Sequence, residues 1–444
     1  MPKKYKKVVI LDSVILYPEH RRRLENLAEE IVEYNTCNTE DEVLERTKGA
    51  DCVISCWVDI PNKVIDLNPQ LKTIAFWTHA YEHRIDKKYA EAHGIFVPCI
   101  PDYGTDSVAE LALGGLLELY GDEEKSFMPK TEKRTLVESV ADQIFNDVRR
   151  FKRNVKDNLK GVWLHEYIKE GKLKYTNEKD LPEETMKGLT VGAFISKGFD
   201  IEILKMLSRG FCMNAIACYS DFPHELDIAF RPVEKLLAES QVIIYDSADI
   251  EPEVEKAILS GNYLSVVDLQ KVNKFGRSII GKKLGIVGLG RIGSRVAQIA
   301  NDAFKMDVHY FSRRNDVSSV YNTPVKWTSM DEILTQSDII TFHLPHVGAE
   351  RFITDEMIEK IPNGTTIINV SVGNIFNDQK VLLDRFARKE LNGYLDVYAT
   401  LPPRAVLREN KDVLLSTYRL GWRTKTTIGL KTHKLLTKLE NGKN

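Results

Sequence analysis

The stretch "KLGIVGLGRIGSRVAQIA" joins an apolar strand to a helix through Gly288, Gly290 and Gly293. Glycines at this spacing permit a tight turn, a close approach of backbone to a pyrophosphate, and close packing of helix on strand. The N–H groups of the first helical turn, which Arg291 and Ile292 open, would hold the phosphates with help from the helix dipole. A glycine triplet alone is a weak signal, and the same residues would also make a tight turn without a ligand. Here strand, turn and helix stand in the required order. The next apolar run, "MDVHYF", ends in Ser312, Arg313 and Arg314. A site that selects NAD carries Asp or Glu there, to bond the ribose hydroxyls. A carboxylate would repel a 2′-phosphate, whereas guanidinium groups pair with it in a fork. The residues therefore favour NADP over NAD. The competing reading makes the arginines ordinary surface charges.

Other side chains able to move protons or hold anions are scattered. His79, Tyr81, Glu82 and His83 share the loop "THAYEHRID", and His343 and His346 flank Pro345 after a strand. His79 and His83 are spaced like metal ligands, but two histidines without a third ligand give no metal site. The six cysteines form no Cys-x-x-Cys pair, and reduced, buried thiols are expected.

The elements that must position these groups alternate in type. "KVVILD", "DCVISC", "LKTIAFW" and "IFVPCI" read as strands, with "EHRRRLENLAEEIVEY" and "DEVLERTK" as helices between them. This alternation predicts a parallel sheet covered by helices. "VAELALGGLLEL" reads as a buried helix with Asp106 or Ser107 as its cap. A polar stretch containing Pro129 follows as a linker, and "LVESVADQIFNDVRRFKRNVKDNLKGVW" has the spacing of a long amphipathic helix.

Residues 188–221 and 281–314 share one rhythm of strand, turn, helix and strand. The likeness continues from "VEKLLAESQVIIYDSADIEP" to "MDEILTQSDIITFHLPHVGA". "SGNYLSVVDLQ" then parallels "PNGTTIINVSV". Three matched blocks in the same order suggest an internal duplication, although any two α/β units share something of this rhythm. Ile195, Lys197 and Asp200 of the first copy match the three glycines of the second. Side chains there would block a pyrophosphate, so the first copy is expected to bind no dinucleotide.

These residues carry a resemblance to the D-2-hydroxyacid dehydrogenases, nearest in pattern to NADP-dependent glyoxylate and hydroxypyruvate reductases. "LKTIAFWTHAYEHRIDKKYAEAHGIFVPCIPDYGTDSVAELALGGLL" resembles the family's substrate-domain core and "GKKLGIVGLGRIG" its cofactor turn. "SDIITFHLPHVGAERFIT", "MIEKIPNGTTIINVSVGNIFND" and "LNGYLDVYATLPP" follow in the family's order. The resemblance implies an α/β chain: a flavodoxin-like substrate domain (1–120 and 427–444) and a Rossmann dinucleotide-binding domain (276–426). Between them would lie a helical insert (121–187) and an additional inserted degenerate Rossmann-like domain (188–275). It also implies that His343, Leu344, Pro345, Val370 and Asp396 border the cofactor.

The family's working residues are altered. Val372 stands where an arginine grips substrate, and no acid follows Asp396 where a glutamate is expected. Arg419 or Tyr418 takes the place of the acid/base histidine, and His79 and Tyr81 stand where glycines are expected. Arg419 could hold an anion but stays charged and is a poor proton donor. His79, His83 and Tyr81 remain candidate donors, beside plain structural roles for each. The expectation is an NADP-dependent oxidoreductase acting on a small molecule other than an ordinary 2-hydroxyacid. The alternative is a non-catalytic NADP-binding regulatory or scaffold protein.

The whole-chain balance agrees. The 444 residues, too many for one ordinary domain, carry a formal net charge of −2 and no basic stripe, which points away from nucleic acid. No apolar run reaches membrane-helix length and no secretory pattern opens the chain, so a cytoplasmic protein without membrane partners is expected. Family members pair through their cofactor domains. The chain is accordingly expected as a homodimer, or as an intramolecular pseudo-dimer in which the glycine-less copy takes the partner's place.

Overall fold

The computed structural model describes residues 3–12, 14–79, 81–121, 134–149, 184–196, 198–218, 228–272, 276–313, 324–345, 348–398, 412–416 and 420–442. These form two compact units. One holds the described residues up to Gly104 and those from Lys425 onward, and the other those between Thr105 and Thr424.

The first unit has a four-stranded parallel sheet of order β2-β1-β3-β4. Its elements run β1 (Tyr5–Ile10), α1 (Pro18–Leu27), β2 (Ala28–Glu33), α2 (Glu40–Arg46), β3 (Cys52–Ser55), α3 (Asn62–Leu67), β4 (Thr73–Phe76) and α4 (Lys87–Ala92). Every residue of β3 and β4 is buried, as unbroken apolar runs in a covered parallel sheet should be. Two expectations are corrected. "EHRRRLENLAEEIVEY" is not one helix: it changes to β2, which pairs with β1 from Tyr5↔Ala28 to Ile10↔Glu33. The β-branched Ile31 and Val32 suit the edge position, and the ladder outweighs the helical propensity of the glutamates. "IFVPCI" makes only the isolated bridges Thr73↔Phe96 and Phe76↔Cys99, because Pro98 has no N–H to extend a ladder.

The second unit opens with α5 (Thr105–Gly121) and α6 (Leu136–Arg149). The rest of the long helix expected after Arg149 lies outside the described residues. Helix α5 belongs to this unit, so the border expected at residue 120 falls at Gly104. Asp106 and Ser107 lie inside α5 and do not cap it. The physical reason is packing: an added Cβ at Gly114 would lie 1.9 Å from the Phe145 ring, and one at Gly115 would lie 2.3 Å from Tyr394. The glycine pair lets α5 sit between α6 and the larger sheet.

Two parallel sheets follow. The five-stranded one, of order β7-β6-β5-β8-β9, is built from β5 (Thr190–Phe194), β6 (Asn214–Cys218), β7 (Ala229–Phe230), β8 (Val242–Tyr245) and β9 (Ser265–Asp268). Helices α7 (Glu202–Lys205), running on into a π turn (Met206–Gly210), α8 (Val233–Glu239) and α9 (Pro252–Ser260) connect these strands. The seven-stranded sheet, of order β12-β11-β10-β13-β14-β15-β16, comprises β10 (Lys283–Val287), β11 (Asp307–Phe311), β12 (Lys326–Trp327), β13 (Ile339–Phe342), β14 (Thr366–Asn369), β15 (Asn392–Leu395) and β16 (Val413–Leu415), with α10 (Arg291–Phe304) after β10.

Both sheets share one apolar core. Helix α10 packs against α5 and against the π turn of the smaller sheet. An added Cβ at Gly210 would meet Ala303 at 2.5 Å. Arg295 of α10 crosses the same boundary: its Nε pairs with Asp106 (2.8 Å) and a terminal nitrogen donates to the Gly210 carbonyl (2.9 Å).

Candidate dinucleotide site

Each glycine of the turn after β10 is there for a different physical reason. Gly288 has φ +99°, and a side chain on it would strike the His343 carbonyl at 2.5 Å. A Cβ on Gly293 would lie 2.2 Å from the Gly288 carbonyl oxygen, so only glycine lets α10 start this close to the strand. Gly290 is exposed, and nothing lies within 4 Å of its Cβ direction. The space it leaves is on the side where an anion must approach. No side chain caps α10, whose N-cap is Gly290 itself, so its first N–H groups are available to an oxygen ligand. The turn, its open face and the uncapped helix fit a pyrophosphate. A nicotinamide dinucleotide bound there would supply hydride chemistry.

The flanking residues frame this turn. The N–H of Gly288 donates to the Phe311 carbonyl (2.8 Å) and that of His343 to Val287 (2.8 Å), which ties the ends of β10, β11 and β13 together. Ser312 and Arg313 follow β11 directly, and Arg313 is exposed. Arg314 lies outside the described residues, as do His346, Tyr418 and Arg419. The His343 imidazole bonds Thr341 Oγ1 (2.9 Å), and desolvation pushes its pKa down to about 3. It is neutral at ordinary pH. Leu344 and Pro345 follow it in the chain, and Ser371 Oγ donates to the Leu344 carbonyl (2.5 Å).

Residues 252–419 match the family model described as D-isomer specific 2-hydroxyacid dehydrogenase, NAD binding domain. The match covers this dinucleotide-binding domain and not the rest of the chain. It is 36% identical over 152 residues to D-3-phosphoglycerate dehydrogenase of Bacillus subtilis, covering 34% of this chain and 29% of that protein. It is 28% identical over 150 residues to hydroxypyruvate reductase of Thermotoga maritima, covering 33% of this chain and 48% of that one. The chain thus spans less than half the length of each of these two relatives. Among solved structures, an acyclic imino acid reductase (Bsp5) in complex with NADPH and D-Arg is 17% identical at a TM-score of 0.54, with 98% of this chain and 96% of that chain covered. A putative D-isomer specific 2-hydroxyacid dehydrogenase from a Polaromonas species is 21% identical at a TM-score of 0.56, with 99% and 96% covered. At such identities these two likenesses show the fold.

Val372, where the sequence resemblance leads one to expect an arginine, is 9% exposed in an apolar cluster with Ile353 and Phe376. Asn369 shapes that loop, its Nδ2 donating to the carbonyls of Val372 (3.2 Å) and Val397 (3.1 Å) while its Oδ1 accepts from the Ser371 N–H (3.1 Å). Val370 is a core residue. Asp396 is buried, with its carboxylate accepting from the N–H groups of Leu420 (2.7 Å) and Gly421 (3.1 Å) and from Ser416. Burial raises its pKa and these hydrogen bonds lower it, with burial the larger effect. Asp396 therefore ties Ser416, Leu420 and Gly421 together.

Reading the sequence did not single out Arg149. This fully buried guanidinium donates to Ser107 Oγ (2.9 Å) and to the Gly421 carbonyl (3.3 Å), and lies 3.9 Å from buried Glu110. Glu110 in turn accepts from the N–H groups of Met186 (2.9 Å) and Lys187 (3.0 Å). Nothing in "DVRRF" marks Arg149 as a buried residue. Three other candidates lie in the first unit. His79 and His83 are exposed, with the His79 ring 5.8 Å from that of Tyr103. Tyr81 is 6% exposed and stacks on Phe76, so it is part of that unit's core. Burial raises its pKa. Among the described residues no three His, Cys, Asp or Glu side chains converge to hold a metal.

Proposed function

We propose that the chain is an NADP-dependent oxidoreductase that reduces or oxidises a small molecule other than an ordinary 2-hydroxyacid. Its substrate would be a carbonyl, carbon–carbon or carbon–nitrogen double bond of a larger intermediate. The observation that carries this reading is Val372. An apolar side chain buried in the core cannot be exchanged in function for a guanidinium that binds a carboxylate. The intact glycine turn argues that cofactor binding is retained beside this change. Ser312, Arg313 and Arg314 after β11 support NADP, since no carboxylate stands there to reject a 2′-phosphate. Arg419 would take over the anion.

The test is oxidation of NADPH, followed by its absorbance, against glyoxylate, hydroxypyruvate, 2-oxo acids mixed with amines, and unsaturated acids. Turnover is expected with an imine or a bulkier acceptor and not with glyoxylate, and NADPH is expected to outperform NADH by about tenfold or more. Tight NADPH binding with no turnover anywhere would favour the alternative, a non-catalytic NADP-binding regulator or scaffold. Failure to bind either nucleotide would remove both readings.

We further infer that the two sheets of the second unit are copies joined as a pseudo-dimer within one chain. Gly192 of β5 faces Ser240 and Leu236, while Gly285 of β10 faces Ser337 and Ile333. The Gln241 N–H donates to the Thr190 carbonyl (2.9 Å) as that of Asp338 does to Lys283 (3.0 Å). Side-chain oxygens of Gln241 and Asp338 return the contact, each at 2.8 Å. Such matched details are hard to reach from separate origins.

A further inference from the structure

The five-stranded sheet has a crevice of its own, with a volume of about 840 Å³. It lies beyond the carboxyl ends of β5, β6 and β8, at the point where the strand order reverses. Open α/β sheets bind ligands there, and the volume is in the range of small-molecule sites. Phe194, Phe230, Ile250 and Val254 provide apolar walls. Its charged groups among the described residues are mostly acidic: Asp246, Asp249 and Glu251 line it, and Arg231 is held by Glu239 at 2.9 Å.

Phosphate is disfavoured here for two reasons. The three carboxylates repel it. The start of α7 is also already occupied, because Asp200 Oδ1 accepts from the Glu202 N–H (3.0 Å). One group, however, has no partner. Ser196 Oγ lines the crevice, is shielded from solvent, and makes no hydrogen bond among the described residues. A buried hydroxyl of this kind calls for a bonding partner.

We propose that this crevice binds an uncharged nucleoside: a flat ring between the apolar walls, its hydroxyl or amino donors on the carboxylates, and one polar atom on Ser196. This site lacks a pyrophosphate cradle, and the proposal does not depend on what the glycine turn of the other sheet binds. Adenosine serves as the probe, titrated calorimetrically into the full chain with and without saturating NADPH. Binding of one adenosine, unaffected by NADPH, is expected, with AMP weaker by about tenfold or more. Val254→Trp, which fills the crevice, should abolish it while leaving the unfolding midpoint and NADPH binding in place. Ser196→Ala should weaken it several-fold. The proposal is overturned if adenosine does not bind below ~1 mM. It is equally overturned if AMP binds as well as adenosine, if NADPH competes, or if Val254→Trp binds normally.

Discussion

Gly290 and Gly293 share one turn yet should fail in different ways when a methyl is added. The Cβ of a Gly293→Ala chain would lie 2.2 Å from a backbone oxygen, so strand and helix must part, at a cost of about 1–3 kcal/mol. Gly290→Ala meets nothing within 4 Å. Its stability should change by no more than about 0.5 kcal/mol, while NADPH affinity falls by about tenfold or more because the methyl stands where phosphate approaches. Thermal melts and nucleotide titrations of the two variants separate these outcomes, and a Gly290→Ala chain that binds normally would show that the turn holds no pyrophosphate. His343 has its own signature. Its pKa falls to about 3 from an ordinary 6.5, so between those values the unfolded chain binds more protons than the folded one. Stability should drop as pH falls through that window, and His343→Gln should flatten part of the slope. The glycine turn was legible in sequence because residue type alone fixes what backbone can do. The work of Asp396 was not, since its partners, Ser416, Leu420 and Gly421, come from a distant segment. Arg149 was invisible for the same reason.

Among the elements, the C-terminal helix Lys425–Asn441 is the one whose energetics the sequence hid. It belongs to the first unit, where Trp77 Nε1 donates to Thr432 Oγ1 (3.0 Å) and that hydroxyl to the Ile15 carbonyl (2.8 Å). Beside them Lys431, fully buried, sets its ammonium 3.5 Å from the centre of the Trp77 ring and 4.6 Å from that of Tyr103. Desolvation lowers its pKa to about 8 from 10.5. The cost of burying the charge is therefore present in full below about pH 8 and gone above 10.5, a difference of at most about 3 kcal/mol. Stability should climb between those values more in the natural chain than in Lys431→Met, as urea titrations at stepped pH would read. Equal slopes would mean that the ammonium is better solvated than its burial implies. Apolar periodicity announced α10 and the strands β3 and β4 plainly. It failed at β2, where "AEEIVE" suits either helix or edge strand, and the decision rests with pairing to β1, a contact that no local pattern records.

At the scale of the whole molecule, the second unit raises the question of what α10 would otherwise do with its apolar outer face. In this chain α10 lies against α5 and the π turn after α7, while α6 lies against α5, α7 and β9. The boundary between the two sheets is closed by Gly210 against Ala303, and Arg295 of α10 is held by Asp106 of α5. If the two sheets are copies, as proposed, this boundary would stand where an isologous interface stands between two chains. The pseudo-dimer reading consequently expects light scattering to give the mass of one chain, with or without NADPH. A dimer could still form through another surface, so mass alone does not decide. Amide exchange does: α10 and α5 should be equally protected at all protein concentrations, because their cover is covalently attached. If protection of α10 instead rises with concentration alongside dimer formation, the boundary opens in solution to admit a second chain, and the smaller sheet is not the built-in partner.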